Sequence, residues 1–228
     1  MRNFAVIGLG RFGSSMSRYI EEEGGEVLAM EIDPKKVRDY ENEFTSVVEA
    51  DATDINALKD LGVSDMDAAI VSIGAKMGAS ILITLLLKEL KVPLIIVKAQ
   101  SPLHGKVLKK IGANRIVYPE KDMAQNLAKQ LMWPGYNELE LAPGLCIVEI
   151  STPKSFINKT LKELKLRKNY EANIIAVKKK VPYINQEEQT DYKEKTIAPP
   201  EAGTTIDEGD TLILVCPKKM VGKFKSMS

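Results

Sequence analysis

The segment "GLGRFG", Gly8 to Gly13, constrains this chain more than any other. It follows the apolar run "FAVI" and precedes an amphipathic stretch, so it reads as a turn from a strand into a helix. In that setting each glycine has a task. Gly8 permits the tight turn, Gly10 lets a phosphate approach the backbone, and Gly13 lets the helix pack close to the strand. The helix start supplies unpaired N–H groups and a partial positive charge. Arg11, inside the loop, is either a guanidinium beside a phosphate or a solvated surface arginine. An acid is needed at the end of the next strand, and Glu31 follows "VLAM" about 18 residues after Gly13. A carboxylate there accepts from both ribose hydroxyls and repels a 2′-phosphate, which disfavours NADP. Asp33 is read as the N-cap of a helix beginning at Pro34. Asp51, in "EADAT", either accepts from an adenine amine or caps the helix that follows Thr53.

The pattern continues through the first 130 or so residues. The runs "FAVIGL", "EVLAMEI", "SVVEAD", "DAAIVSI", "LIIVKA" and "RIVYP" carry apolar residues at consecutive positions, as strands covered on both faces do. Helical stretches separate them, and the alternation predicts an α/β, Rossmann-like, doubly wound parallel sheet over residues 1–133. The Pro- and Gly-bearing stretch 134–144 reads as a linker. Residues 145–228 read as a small α+β domain with strands at "LCIVEIS", "ANIIAVKKK" and "GDTLILVCP". Between the last two, Pro182 to Gly209 is polar and reads as a hairpin-like excursion or a mobile loop.

Several function classes are disfavoured. A formal net charge of +1 offers no field that would draw the chain onto nucleic acid. The apolar window "GASILITLLLKEL" leaves about 11 uncharged residues between lysines, against the ~20 of a membrane span. The sequence enters its first strand without the regions of a secretory signal, and the expected location is the cytoplasm. Cys146 and Cys216 each sit in a strand-like run and read as buried thiols. The one histidine, His104, reads as a surface or interface residue, and no nucleophile motif accompanies it. A complete nucleotide domain without a substrate domain favours a sensor. A small NAD-dependent oxidoreductase is the alternative.

The motifs "FAVIGLGRFG", "VLAMEID", "ADATD", "SIGA", "TLLLKEL", "VKAQ" and "IGANRIVYPEKDMA" together resemble the RCK (KTN) family, the cytoplasmic regulatory subunits of bacterial potassium uptake systems. The resemblance implies binding of ATP or ADP, or NAD(H), and no enzymatic activity. It implies dimers formed through the helix after "YPEKDMA", an octameric ring, and a membrane-embedded potassium-translocating partner that the ring gates. It places cofactor contacts at Gly8, Gly10, Arg11, Phe12 and Gly13, with Glu31 at a ribose position usually held by Asp. Asp51 and Thr53 match the adenine side, and Lys98 matches a basic residue facing the nucleotide. Glu120 matches a carboxylate holding a divalent cation, Mg or Ca; it reads equally as a helix-terminal acid. In the second domain the resemblance implies cyclic di-AMP at Leu166, Arg167, Asn173, Ile174 and Ile175. The charged loop from about Val181 to Pro200 is longer than the family's pattern, and a plain dimerisation domain is the other reading.

Overall fold

The structure is a computed structural model that describes residues 2–74, 76–132, 137–184 and 190–227. The chain divides into two compact units, Met1–Met123 and Ala124–Ser228.

The first unit alternates β1 (Asn3–Ile7), α1 (Arg11–Glu22), β2 (Glu26–Glu31), α2 (Pro34–Tyr40), β3 (Ser46–Glu49), α3 (Ile55–Asp60), β4 (Ala68–Val71), α4 (Met77–Glu89), β5 (Ile95–Lys98), α5 (Pro102–Ile111) and β6 (Arg115–Val117); α6 (Pro119–Met132) follows and crosses the unit boundary. The strands form one parallel sheet in the order β3-β2-β1-β4-β5-β6. That is the order of dinucleotide-binding sheets, in which all strands run parallel and the order of strand addition reverses between β1 and β4. The continuous apolar runs have a direct cause. Ala5, Ile7 and Val71 belong to the core on one face, while Val6, Ala29 and Ile70 belong to the core on the other. Helix starts follow local chemistry. Asp33 accepts from Lys35 N–H at 3.0 Å with Pro34 at the first helical position, and Asp54 accepts from Asn56 N–H at 2.9 Å.

His104 departs from its expected surface position. It is 1 % exposed and bridges two helices. Its Nε2 lies 2.9 Å from Ser80 Oγ on α4, and its Nδ1 accepts from Gln100 N–H at 3.4 Å. Ser80 Oγ donates in turn to Met77 O at 2.9 Å. Burial lowers the imidazole pKa, which favours the neutral ring.

The second unit contains β7 (Asn137–Ala142), β8 (Leu145–Ser151), β9 (Lys159–Thr160), α7 (Leu161–Leu164), α8 (Leu166–Tyr170), β10 (Asn173–Ile184), β11 (Thr190–Ile197), β12 (Thr205–Ile206), β13 (Thr211–Pro217) and α9 (Lys218–Lys225). Five strands form an antiparallel sheet, β11-β10-β13-β8-β7, and β9 pairs with β12. The core alternates along β8 and β13, with Cys146, Val148, Ile150, Leu212, Leu214 and Cys216 turned inward against Val221 and Phe224 of α9. Both cysteines are buried free thiols and face each other as register partners.

One expectation is corrected here, and one that stood open between two readings is decided for the hairpin. The stretch 134–144 is not simply a linker, because Asn137–Ala142 is an edge strand paired with β8; residues 133–136 lie outside the described ones. The excursion after Pro182 is a hairpin of β10 and β11, in register from Val177↔Ile197 to Ile184↔Thr190, while residues 185–189 lie outside the described ones.

Candidate functional site

Where β1 and β4 part, the C-terminal ends of the strands open onto a cavity of about 400 Å³. Gly8 and Gly10 line it from the loop, Glu31 and Lys36 from the β2–α2 side, and Asp51 and Thr53 from beyond β3. Ser72, Gly74 and Lys76 line it from the connection between β4 and α4, and Ile83 from α4. The loop has the backbone its glycines were expected to supply. Gly8 has φ +96°, in the left-handed region. A Cβ on Gly13 would stand 2.0 Å from Gly8 O, so only glycine lets α1 sit this close to the strand. At Gly10 the situation is opposite. Nothing lies within 4 Å of where its Cβ would be, and it borders the cavity. As the N-cap of α1 it offers no side-chain cap, and the helix has no acid in its first turn. A phosphate therefore fits this cradle: open space meets the positive end of a twelve-residue helix.

Glu31 is 7 % exposed, and donors meet both of its carboxyl oxygens. Oε2 accepts from Leu9 N–H at 2.8 Å and from Lys36 Nζ at 3.4 Å. Oε1 accepts from Ile32 N–H at 2.9 Å and Asp33 N–H at 3.2 Å. The side chain thus ties the end of β2 to the loop after β1. Asp51 accepts from Thr53 Oγ1 at 2.6 Å and from Thr53 N–H at 2.9 Å. Those two bonds hold its carboxyl below the usual range, with Lys76 adding a smaller pull. Asp51 caps that turn, and the helix cap proper is Asp54.

Arg11, Phe12, Lys98 and Glu120 form a second cluster and do not line the cavity. Lys98 Nζ bonds Glu120 Oε1 at 2.6 Å and lies 5.9 Å from the centre of the Phe12 ring. Glu120 is held below the usual carboxylate range, first by the Lys98 hydrogen bond and then by its own backbone N–H, with the charges of Lys98 and Arg11 adding. As a place for a divalent cation this does not fit within one chain. The ammonium already occupies a carboxylate oxygen, and no group of three or more His, Cys, Asp or Glu side chains able to hold a metal occurs among the described residues.

In the second unit Leu166, Arg167, Asn173 and Ile174 line one groove of about 520 Å³, together with Lys162, Lys165 and Lys168. Arg167 Nε donates to Asn173 Oδ1 at 2.5 Å. Ile175 does not line that groove, because the β10–β13 register shifts between Ile174 and Ala176 and leaves it as the extra residue of a bulge. Sequence reasoning missed Lys36, Ser72 and Lys76 in the first cavity and the lysines around this groove. Only Ser72 had a sequence signal, as the first residue of "SIGA" at a strand end.

Residues 4–119 match the TrkA-N domain and residues 145–227 the TrkA-C domain. The chain is 40 % identical over 225 residues to the Ktr system potassium uptake protein C of Bacillus subtilis, covering 98 % of this chain and 96 % of that one. It is 32 % identical over 228 residues to the Ktr system potassium uptake protein A of Vibrio alginolyticus, covering 99 % and 98 %. The chain belongs to the RCK (KTN) family. As an RCK protein it has the fold of the GsuK RCK domain, with a TM-score of 0.52 at 19 % identity over 99 % of this chain and 46 % of that one. The GsuK channel bound to NAD gives a TM-score of 0.53 at 20 % identity over 100 % and 38 %. The RCK chain described here thus spans less than half the length of those two structures.

Among the described residues no helix is long and apolar enough to cross a membrane.

Proposed function

We propose that this RCK protein is a nucleotide-sensing regulatory subunit, and that it gates a membrane-embedded potassium transporter from the cytoplasmic side. The observation that carries the nucleotide reading is the cradle at Gly10, open to the cavity at an uncapped helix start, with a buried acid at the end of β2. The ligand class is ATP or ADP, with NAD(H) as the dinucleotide alternative. Gly10 and the first turn of α1 receive phosphate, Glu31 orients the loop and faces the ribose, and Asp51 with Thr53 borders the base. The full-length likeness to Ktr system potassium uptake proteins supports a potassium-translocating partner.

Assembly into dimers, and from dimers into an octameric ring, is part of the same reading. Met123, Leu127 and Leu131 recur every fourth residue of α6 and are all exposed, a stripe that a second copy of the helix would cover. A divalent cation at Glu120 belongs to the proposal only if other ligands displace Lys98, and no step is derived from it. For the groove in the second unit, cyclic di-AMP is supported by four of the five expected residues sharing one basic, apolar-floored surface.

The deciding experiment is calorimetry with ATP, ADP and NADH, followed by potassium flux through the reconstituted partner with each nucleotide. Binding with nucleotide-dependent flux supports the sensor. Turnover of NADH with a simple acceptor would support the oxidoreductase instead. His104 does not favour that alternative, since both ring nitrogens are engaged inside the fold.

A further inference from the structure

Glu31 ends β2 with both carboxyl oxygens engaged. Oε1 accepts from Ile32 N–H and Asp33 N–H, and Oε2 accepts from Leu9 N–H and from the Lys36 ammonium. A carboxylate offers about four lone-pair sites, and these donors fill them. The donors are not equal. The three amides are fixed in the backbone of the β1 loop and the β2–α2 turn, at 2.8, 2.9 and 3.2 Å. The ammonium stands furthest away, at 3.4 Å, and ends a flexible side chain that is 44 % exposed. Lys36 is therefore the donor that can leave without moving the main chain. Both Glu31 and Lys36 border the nucleotide cavity.

We propose that Lys36 is a specificity-determining residue of this cavity: it holds the acceptor position on Glu31 that ribose hydroxyls need, and it yields that position when they bind. This rests on the nucleotide reading of the cavity and adds an exchange to it. Ribose hydroxyls donate to an acid in this place. Three of its sites belong to backbone amides, so the hydroxyls compete with the ammonium. The displaced ammonium returns to water, which its exposure allows. Every ribose bond to Glu31 is thus set against a broken ion pair. A nucleotide without those hydroxyls leaves the pair intact. Lys36 acts on the ligand through Glu31, and its effect is to reduce the preference of the cavity for a ribose over a sugar that lacks the hydroxyls.

The test is calorimetry with ADP and with 2′,3′-dideoxy-ADP on the wild type, Lys36→Met, Lys36→Arg and Lys35→Met. The two ligands share base and phosphates, so the ratio of their affinities isolates the hydroxyls from any long-range pull of the lysine charge. Lys36→Met keeps the stem and removes the ammonium. It should raise the preference for ADP about fivefold over the wild-type ratio, because the hydroxyls then bond Glu31 without a competitor. Lys36→Arg should keep the wild-type ratio, since a guanidinium refills the position. Lys35→Met should keep it too, because Lys35 is the next residue on the helix and does not line the cavity. An unchanged ratio in Lys36→Met overturns the exchange. A lower ratio also overturns it, by showing that the ammonium itself bonds the ribose. So does an equal rise in Lys35→Met, which would make the effect one of general charge. A wild type that binds none of ADP, ATP and NADH overturns the reading of the cavity itself, an outcome distinct from these.

Discussion

The main-chain N–H of Leu9 donates to Glu31 Oε2 at 2.8 Å, which makes the acid at the end of β2 a structural part of the loop after β1. A ligand's ribose would meet a carboxylate already oriented by three backbone amides and Lys36. At the proposed site, nucleotide binding would be coupled to loop order through this one side chain.

Glu31→Ala should lower stability as well as affinity. It leaves the Leu9, Ile32 and Asp33 amides without their acceptor, a loss of about 1–3 kcal/mol in urea unfolding. Faster hydrogen exchange at Leu9 N–H should accompany it. Unchanged stability would show that the acid serves the ligand alone.

Gly10→Ala and Gly13→Ala should separate binding from folding. At Gly13 the added methyl meets Gly8 O at 2.0 Å, and we expect about 3 kcal/mol of destabilisation or failure to fold. At Gly10 it enters open space, so stability should change by no more than about 1 kcal/mol. Nucleotide affinity should nonetheless fall at least tenfold, because the methyl stands in the phosphate cradle. Wild-type affinity in folded Gly10→Ala would place the phosphate elsewhere.

The Lys98–Glu120 pair should be visible by carboxyl NMR titration. The Glu120 midpoint is expected below that of an ordinary glutamate, and Lys98→Met should raise it toward that value. A depressed folded pKa means that the pair's contribution is present above the unfolded pKa and is lost as pH falls through the folded one. Glu120 is 76 % exposed, so solvent screening keeps that contribution small. A midpoint unmoved by Lys98→Met would remove the pair.

The two thiols should be nearly inert in the folded protein. Burial, with Cys146 alongside, pushes Cys216 up to about 11, and burial raises Cys146 as well. At pH 8 iodoacetamide should label the native chain far more slowly than the chain in urea. A raised folded pKa also means that this contribution to stability is intact below the ordinary value of 9.0 and declines as pH rises toward about 11. Rapid native labelling would refute the packing described for β8 and β13.

Much of the first unit was legible because its strands are buried on both faces and so announce themselves as unbroken apolar runs. The loop glycines and Glu31 were legible by spacing. What Glu31 holds was not, since its acceptor role toward Leu9 spans 22 residues. His104 was misjudged for a related reason: its partner Ser80 lies 24 residues away, and a single polar residue at a helix start carries no mark of burial. The strand Asn137–Ala142 was read as linker because it is an edge, and Leu139 and Leu141 are exposed. It alternates polar and apolar residues without the continuous run that marks a covered strand. Ile175 was grouped with its neighbours because a bulge is invisible to sequence spacing.

The hairpin of β10 and β11 extends past the rest of its sheet, since β10 pairs with β13 only as far as Lys178↔Thr211. Beyond Lys180, which pairs with Glu194, β10 and β11 continue to pair with each other as far as Ile184↔Thr190. Lys179 anchors the base of the arm to the body of the unit, at Thr205 O, Asp207 and Asp210. The length of the arm is thus a free parameter of the architecture. The described residues of its outer part are not among the buried core of the unit, so a fluorescent reporter placed there offers a handle for watching the protein at work.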